Sequence, residues 1–333
     1  MGFTLRIRAV SSAAPVFVIA GLLAACSGGG GGSSLPATTQ PPGSGTPGTT
    51  NSNQIININI TQSTLNSMPS YTDLKYHVMA TNPNGAQIKP LSTVFPVDMQ
   101  FHGGHVVPSA QMHEVFINVG SATVGSPQTF QANFSNSTFV HVLDQYAGST
   151  TNNRYPVNAT LISATLSTFS NVISENQLLT VLHTAVATTH LSGYAHVYNL
   201  FLKPGLDTCL DFGPCYSPDN AANFVFCAYH GSVTFSDVGH VLYSVIPYQH
   251  VSGCGDFGLT VPNTVPIDDT ASTLSHEDSE IISDPDPGGG YFNDQFGLEI
   301  ADACAGFRAT ETLNAHKYLI QPEYSNSVHG CFF

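Results

Sequence analysis

The chain has no tryptophan and very few charged residues. The low content of charged residues, and of Lys and Arg in particular, limits the classes of partner that the domain is expected to bind. Charged residues make up 9% of the 333 positions, against about 25% in ordinary globular proteins. Only eight residues are Lys or Arg, and those beyond the N-terminal region are scattered without forming a basic patch. Because the formal net charge is −14, we expect neither nucleic acid nor anionic lipid headgroups as partners of the folded domain.

Several common catalytic and cofactor motifs are also missing. The chain contains no G-x-S-x-G motif, no phosphate-binding loop and no dinucleotide-binding fingerprint. It has no coiled-coil seam and no internal repeat. No C-x-x-C pair is present, which argues against a cysteine-based metal site but leaves that alternative open. These absences argue against a serine hydrolase of the lipase type and against a nucleotide-dependent enzyme.

The N-terminus has the features of an export signal. Arg6 and Arg8 precede an apolar run that ends in small residues before Cys26. Residues 23–26, Leu-Ala-Ala-Cys, resemble the lipobox of bacterial lipoproteins. The resemblance implies a signal peptide over residues 1–25, lipidation of Cys26, and anchoring to the outer membrane or cell surface through this lipid alone. An ordinary secretory signal is the alternative.

Behind the signal, the composition predicts one tether and one domain. Residues 26–54 are Gly, Ser, Thr and Pro almost throughout, so they cannot bury enough apolar surface to fold and are expected to form a flexible linker. Residues 55–333 are apolar enough for a single globular domain. Strand-like and helix-like segments occur there without strict alternation, which favours an α+β fold over a doubly wound sheet.

Local patterns predict the main elements of this domain. Runs of β-branched and aromatic residues predict strands at residues 112–119, 194–202, 223–229 and 240–247. Amphipathic patterns predict helices at residues 136–146, 174–189 and 269–282. Ser174 is expected to cap the second of these helices, and the pair Asp284-Pro285 is expected to end the third.

Six cysteines follow Cys26, and an even number in an exported chain predicts up to three disulfides. They are Cys209, Cys215, Cys227, Cys254, Cys304 and Cys331. Their number allows many pairings, and sequence alone does not choose among them. Cys209 and Cys215 enclose a short loop that contains Gly213 and Pro214, so a local pair is expected there.

The most informative segment is the motif His276-Glu277-x-x-Glu280. On a helix, positions i and i+4 lie on one face, so His276 and Glu280 point at the same spot. This is the layout of a zincin helix with a carboxylate in place of the second histidine, and it predicts a zincin-like domain. Glu299 is spaced to supply a third ligand from a later element.

This ligand set predicts metal-dependent hydrolysis. One imidazole and two carboxylates suit Zn²⁺, and also Mn²⁺ or another divalent cation. Three protein ligands leave a position for water, and zinc lowers the pKa of such a water towards about 7. Glu277 is then the expected general base, and Asp302 the residue that orients His276. A peptide bond is the expected substrate, and a peptide or envelope polymer the expected partner.

Acidic residues are concentrated around this motif, since ten of the 22 lie between Asp268 and Asp302. So much negative charge is unfavourable unless a cation or solvent offsets it. Two alternatives to a metal stay open: a hydrogen-bonded network, and acidic side chains that solvate a helix face. The alternative functions are a non-catalytic envelope or adhesion module, and a polysaccharide-active protein that uses Glu277 and Asp302 as paired carboxylates. Asp278 and Asp284 are weaker metal candidates.

Several motifs, in their order along the chain, resemble one family. They lie at residues 101–106 (FHGGHV), 137–146, 227–230 (CAYH) and 274–304. The chain is similar in these motifs to the bacterial branch of the EXORDIUM-like family, also called phosphate-induced protein 1. The resemblance implies an extracytoplasmic protein with a poorly defined biochemical role. His105 departs from the family pattern. Gly103-Gly104 is expected to form a tight turn with His102 and His105 near a cleft, and a functional role for these two histidines is the alternative. His230 is expected to be a satisfied strand-end histidine, with an approach to the metal helix as the alternative.

Overall fold

The structure is a computed structural model that describes residues 54–82, 87–88, 98–167, 171–211, 213–256 and 258–333. The predicted signal peptide, the lipidation site Cys26 and nearly all of the predicted linker lie outside these residues. Within the described part of the chain, no helix has the length and hydrophobicity needed to cross a membrane.

Strands and helices are mixed along the domain, as an α+β fold requires. The strands are β1 Gln54–Ile60, β2 Tyr71–Ala80, β3 Gln87–Ile88, β4 Gln100–Phe101, β5 Gln111–Ile117, β6 Thr160–Leu166, β7 Val172–Ser174, β8 His196–Leu202, β9 Asp207–Cys209, β10 Cys215–Tyr216, β11 Phe226–Phe235, β12 Gly239–Ile246, β13 Tyr291–Phe292, β14 Phe307–Leu313, β15 His316–Ile320, β16 Glu323–Ser325 and β17 Gly330–Phe332. The α-helices are α1 Gln62–Asn66, α2 Pro127–Ser135, α3 Asp144–Ala147, α4 Glu175–Thr189 and α5 Val265–Ser283. The 3₁₀ helices of the described residues span Ser121–Val124, Phe139–Leu143 and Asp302–Cys304.

A seven-stranded mixed sheet organises the domain, in the order β1-β6-β5-β8-β12-β11-β2. The pairs from β1 to β12 are parallel, whereas β11 runs antiparallel to both β12 and β2. Side chains alternate across each strand, so neighbouring residues of β5 enter different cores. Val115 packs on the face covered by α4, and Phe116 on the face covered by α5. The result is a sheet with an apolar layer on each side.

The four predicted strands correspond to β5, β8, β11 and β12, with shifted ends for β11. The predicted helix at 174–189 is α4, and Ser174 forms a capping box with Gln177. The predicted helix at 136–146 is wrong in type over most of its length. Residues 139–143 form a 3₁₀ helix, because β-branched side chains disfavour the α-helix in this turn. Only residues 144–147 are α-helical, since Gly148 adopts a positive φ and ends the helix.

Helix α5 lies at the centre of the molecule. It begins four residues before the predicted start, with Thr264 as N-cap and Pro266 in its first turn, and it ends at Ser283, directly before Asp284-Pro285. All of its residues from Asp268 to Ser283 are buried. The alternative in which acidic side chains solvate a helix face is therefore wrong, since this helix has no exposed face over that stretch.

Three disulfides join all six cysteines of the domain: Cys209–Cys215, Cys227–Cys254 and Cys304–Cys331. The predicted local pair Cys209–Cys215 is confirmed. Because every cysteine of the domain is oxidised, no thiolate is left to bind a metal, and the cysteine-based site is excluded for this state of the chain. Such bonds persist in oxidising, extracytoplasmic compartments.

Candidate metal centre

Helix α5 carries three chemically active side chains into the buried interior. His276, Glu277 and Glu280 are each 0% exposed. The i,i+4 spacing brings His276 Nε2 to 3.3 Å from Glu280 Oε1, as the motif predicts. Burying this many ionisable groups costs free energy unless they are paired or bind a cation.

Two further histidines face the helix from the sheet. His77 on β2 and His230 on β11 are register partners on adjacent antiparallel strands, with ring centroids 6.0 Å apart. His230 is fully buried and lies 3.4 Å from both Glu277 and Glu280. No sequence pattern singles out His77, and the position of His230 at a predicted strand end predicts an ordinary satisfied histidine. The structure places His230 in the centre of the cluster.

The loop after β13 supplies the remaining carboxylates. Glu299 Oε1 lies 3.3 Å from His77 Nδ1, and Glu299 Oε2 lies 3.5 Å from His230 Nε2. Asp302 Oδ2 is 2.7 Å from His77 Nε2, and the backbone N–H of Asp302 donates a hydrogen bond of 3.1 Å to Glu280 Oε1. Asp302 Oδ1 also lies 3.7 Å from His276 Nε2. The loop therefore closes the cluster opposite α5.

The candidate metal centre thus consists of seven side chains: His77, His230, His276, Glu277, Glu280, Glu299 and Asp302. Two groups of three within it have ligand atoms that all lie within 4.8 Å of one another. We call His77, Glu280 and Asp302 the outer group, and His230, Glu277 and Glu280 the inner group. The predicted trio of His276, Glu280 and Glu299 is in the cluster, but it is neither of these groups, and its joint ligation stays a prediction.

Many polar atoms of the centre have no hydrogen-bond partner among the described residues. They include both ring nitrogens of His230 and His276, both carboxylate oxygens of Glu277, and one oxygen each of Glu280 and Glu299. Their contacts of 3.3–3.5 Å are electrostatic and lack the alignment of hydrogen bonds. Unpaired buried polar groups cost about 1–3 kcal/mol each. This disfavours the alternative of a satisfied hydrogen-bond network and favours a bound cation.

The members of the centre shift one another's pKa values. Burial disfavours the imidazolium, but nearby carboxylates outweigh it and raise the pKa of His77 and of His276 to about 10. Burial raises the pKa of Glu299 well above its usual range. Burial acts in the same direction on Glu280, but the charge of His276 and the close contact with His230 hold its pKa well below its usual range. Because metal ligands must be deprotonated, a divalent cation at this centre would compete with protons for the same side chains.

Among the seven described side chains of the centre, only two in the outer group are partly exposed. The side chains of His77 and Asp302, both in the outer group, are 24% and 12% exposed, whereas the other five members are at most 1% exposed. An open carbohydrate cleft flanked by Glu277 and Asp302 is therefore disfavoured, because Glu277 is completely buried.

The weaker metal candidates have other partners. Asp284 accepts hydrogen bonds from the backbone N–H groups of residues 288–290, so it orders the Gly-rich loop after α5. The amide of Asn199 donates to Asp278 on the opposite side of the helix. His102 stacks on Phe292, and its Nε2 lies 2.7 Å from Asp294.

Glu323 is a buried carboxylate that the sequence analysis missed. It lies on β16 and is 0% exposed, and neither of its oxygens has a hydrogen-bond partner among the described residues. Burial raises its pKa well above the usual range, although the nearby charge of His276 acts in the opposite direction. No pattern around it in the sequence distinguishes it from a surface residue.

Comparisons with known proteins add no identification. No protein-family model, curated protein or solved structure matches this chain.

Proposed function

We propose that this chain is an exported, divalent-metal-dependent hydrolase whose active site is the candidate metal centre. The observation that carries the proposal is the buried convergence of three imidazoles and four carboxylates, many of whose polar atoms have no hydrogen bond. This donor set suits Zn²⁺, with Mn²⁺ as the other candidate. A metal there lowers the pKa of a coordinated water towards about 7.

The outer group is the proposed reaction site because solvent reaches it. His77, Glu280 and Asp302 supply one nitrogen and two carboxylates. His276 adds a fourth contact, since its Nε2 lies within 3.7 Å of oxygens of both carboxylates. Three or four protein ligands on a partly exposed ion leave room for water and substrate, which is the arrangement of catalytic metal sites.

The geometry favours an exchange of the roles predicted for two glutamates. The sequence motif predicts Glu277 as the general base and Glu299 as a ligand. The inner group contains Glu277, whereas neither ligand group contains Glu299. Glu299 Oε1 lies 3.3 Å from His77 Nδ1 of the outer group, so it places a carboxylate beside the proposed reaction site, where a general base must lie. In the proposal, Glu299 is the base and Glu277 a ligand.

We also propose that the domain is zincin-like and that the chain belongs to the EXORDIUM-like family. A helix with the H-E-x-x-E motif packs across a mixed sheet and receives a carboxylate-bearing segment from further along the chain, which supports the zincin analogy. The motifs that resemble the EXORDIUM-like family include this helix and the strand that carries His230. The proposed location is the outer membrane or cell surface, through the lipid on Cys26, and the three disulfides support export.

The test is turnover of quenched fluorescent peptide libraries by the purified full chain, before and after removal of metal by a chelator and its restoration with Zn²⁺ or Mn²⁺. We expect cleavage that disappears on removal and returns on restoration. Glu299→Gln should lose turnover while keeping its metal, and Glu311→Gln on a half-exposed strand position should lose neither. A metal-replete chain that cleaves no peptide would overturn the hydrolase.

A non-catalytic envelope or adhesion module is the second candidate. The observation in its favour is the burial of five of the seven members of the centre, which leaves a narrow approach for a polymeric substrate. In that case the metal would only stabilise the fold. Full metal occupancy with a large stabilisation and no turnover is the result that distinguishes it from the hydrolase.

A further inference from the structure

We infer that the centre holds two divalent cations, one in the outer group and one in the inner group, bridged by the carboxylate of Glu280. The inference rests on the proposed metal centre and deepens it by stating how many ions the centre holds and which residue bridges them. Glu280 is the only residue that belongs to both ligand groups of the described chain.

The two oxygens of Glu280 face different partners. Oε1 lies 3.3 Å from His276 Nε2 and accepts the backbone hydrogen bond from Asp302, so it points towards the outer group. Oε2 lies 3.4 Å from His230 Nδ1 and has no hydrogen bond, so it points towards the inner group. A carboxylate with one oxygen on each side is the usual bridge between two ions that lie about 3.5–4 Å apart.

The inner group has its own complete donor set. His230 Nδ1 lies 3.4 Å from Glu277 Oε2 and 3.4 Å from Glu280 Oε2. Both nitrogens of His230 and both oxygens of Glu277 are buried and make no hydrogen bond to described residues. These unpartnered atoms all belong to ligand types that bind zinc or manganese. An ion in the outer group would leave them unsatisfied.

The charge of the centre also fits two ions. Its four carboxylates are Glu277, Glu280, Glu299 and Asp302, and none of them forms an ion pair with Lys or Arg in the described ranges. Ionised, they carry four negative charges, which two divalent cations balance. One divalent cation would leave two charges to be met by protons inside a low-dielectric interior.

The test is metal content per chain. The purified full chain, free of affinity-tag metal, is stripped with a chelator, reloaded with Zn²⁺ or Mn²⁺, dialysed and measured by elemental mass spectrometry. We expect two ions in the wild type, one in Glu277→Gln, one in Asp302→Asn and none in Glu280→Ala. Glu311→Gln serves as the matched control and should keep two. Circular dichroism checks the fold of each variant.

The outcomes separate this inference from the proposed function. If the wild type binds one ion, the two-ion inference is wrong but the proposed metal-dependent hydrolase is not contradicted. If it binds no ion, both proposals are wrong. If the wild type binds two ions and Glu280→Ala still binds one, the claim that Glu280 bridges the two ions is wrong. The wild-type count does not depend on whether any variant folds. As a second measurement, electron paramagnetic resonance of the Mn²⁺-loaded wild type should show a coupled pair, and a spectrum of isolated ions contradicts a shared carboxylate.

Discussion

His77 and His230 lie directly opposite each other on adjacent antiparallel strands, and this pairing carries two imidazoles into one centre. The next residue along, Gly231, pairs with Tyr76, and a Cβ at Gly231 would lie 2.2 Å from the carbonyl oxygen of Lys75. The close approach of β2 and β11 at this point therefore requires glycine.

Gly231→Ala should push these strands apart and separate the two histidines. We expect the free energy of unfolding to fall by about 1–3 kcal/mol, as for other overpacking substitutions, and zinc affinity to fall with it. Gly120→Ala is the control, because a Cβ there meets nothing within 4 Å. Urea unfolding and zinc titration measure both effects. If the free energy of unfolding and the zinc affinity are unchanged in Gly231→Ala, the spacing of β2 and β11 does not position the site.

Glu299→Gln should have opposite effects on stability with and without metal. In the metal-free chain, burial raises the pKa of Glu299, so on folding this side chain must either bury a negative charge or take up a proton. Its neutral amide avoids both costs and should raise the free energy of unfolding by about 1–2 kcal/mol. In the metal-loaded chain, the gain in free energy of unfolding from Glu299→Gln should shrink or reverse, because the cations offset the negative charge of Glu299. Thermal unfolding with chelator and with excess Zn²⁺ measures the two states. Equal shifts in both states would contradict a cation near Glu299.

The disulfide Cys304–Cys331 should affect the site more than Cys209–Cys215. Cys304 ends the 3₁₀ helix that begins at Asp302, and its bond closes a separation of 27 residues against 6 for the other pair. Loop-closure entropy predicts losses of about 3.5 kcal/mol and about 2 kcal/mol when each pair is replaced by Ala. Only the first replacement should also weaken zinc binding. Equal zinc affinity in both double variants would exclude this anchoring of Asp302.

Away from the metal centre, His113 should make the domain sensitive to acid. His113 Nε2 lies 3.1 Å from His196 Nδ1, and burial together with the charge of His196 lowers the pKa of His113 from 6.5 to about 4. Between these values the unfolded chain binds more protons than the folded chain, so stability is lost as the pH falls through this window.

The loss from pH 7 to pH 4 should be on the order of 2–3 kcal/mol for this group. His113→Gln removes the titration and should flatten the pH dependence by that amount. Urea unfolding at several pH values tests this, and an equally steep dependence in His113→Gln would contradict the assignment.

The part of the site that depends on local periodicity was predictable from the sequence. His276, Glu277 and Glu280 share one helix, and their spacing alone brings them together. His77 was not predictable, because it meets the helix only through the pairing of β2 with β11, and the half-exposed residues of β2 give no clear alternating pattern. The roles of Glu277 and Glu299 depend on which imidazole each one touches, and chain spacing does not encode that.

The fold, too, was predictable where it depends on local sequence patterns and was not predictable where it depends on contacts between distant segments. Strands β5, β8 and β12 have apolar patterns that mark them in the sequence, and α4 has a capping box. The order of the strands and the pairing of Cys227 with Cys254 depend on contacts between distant segments. The buried acidic face of α5 resembles a solvated helix face in sequence, and only its packing between the sheet and β15 distinguishes the two.

The most direct test of the account is the position of metal in a crystal of the Zn²⁺-loaded chain, located by anomalous scattering at the zinc edge. We expect two anomalous peaks on opposite sides of the Glu280 carboxylate. One should lie about 2.0–2.2 Å from ligand atoms of His77 and Asp302, and the other at the same distance from ligand atoms of His230 and Glu277. A loaded crystal with no peak among these side chains would contradict the metal centre itself.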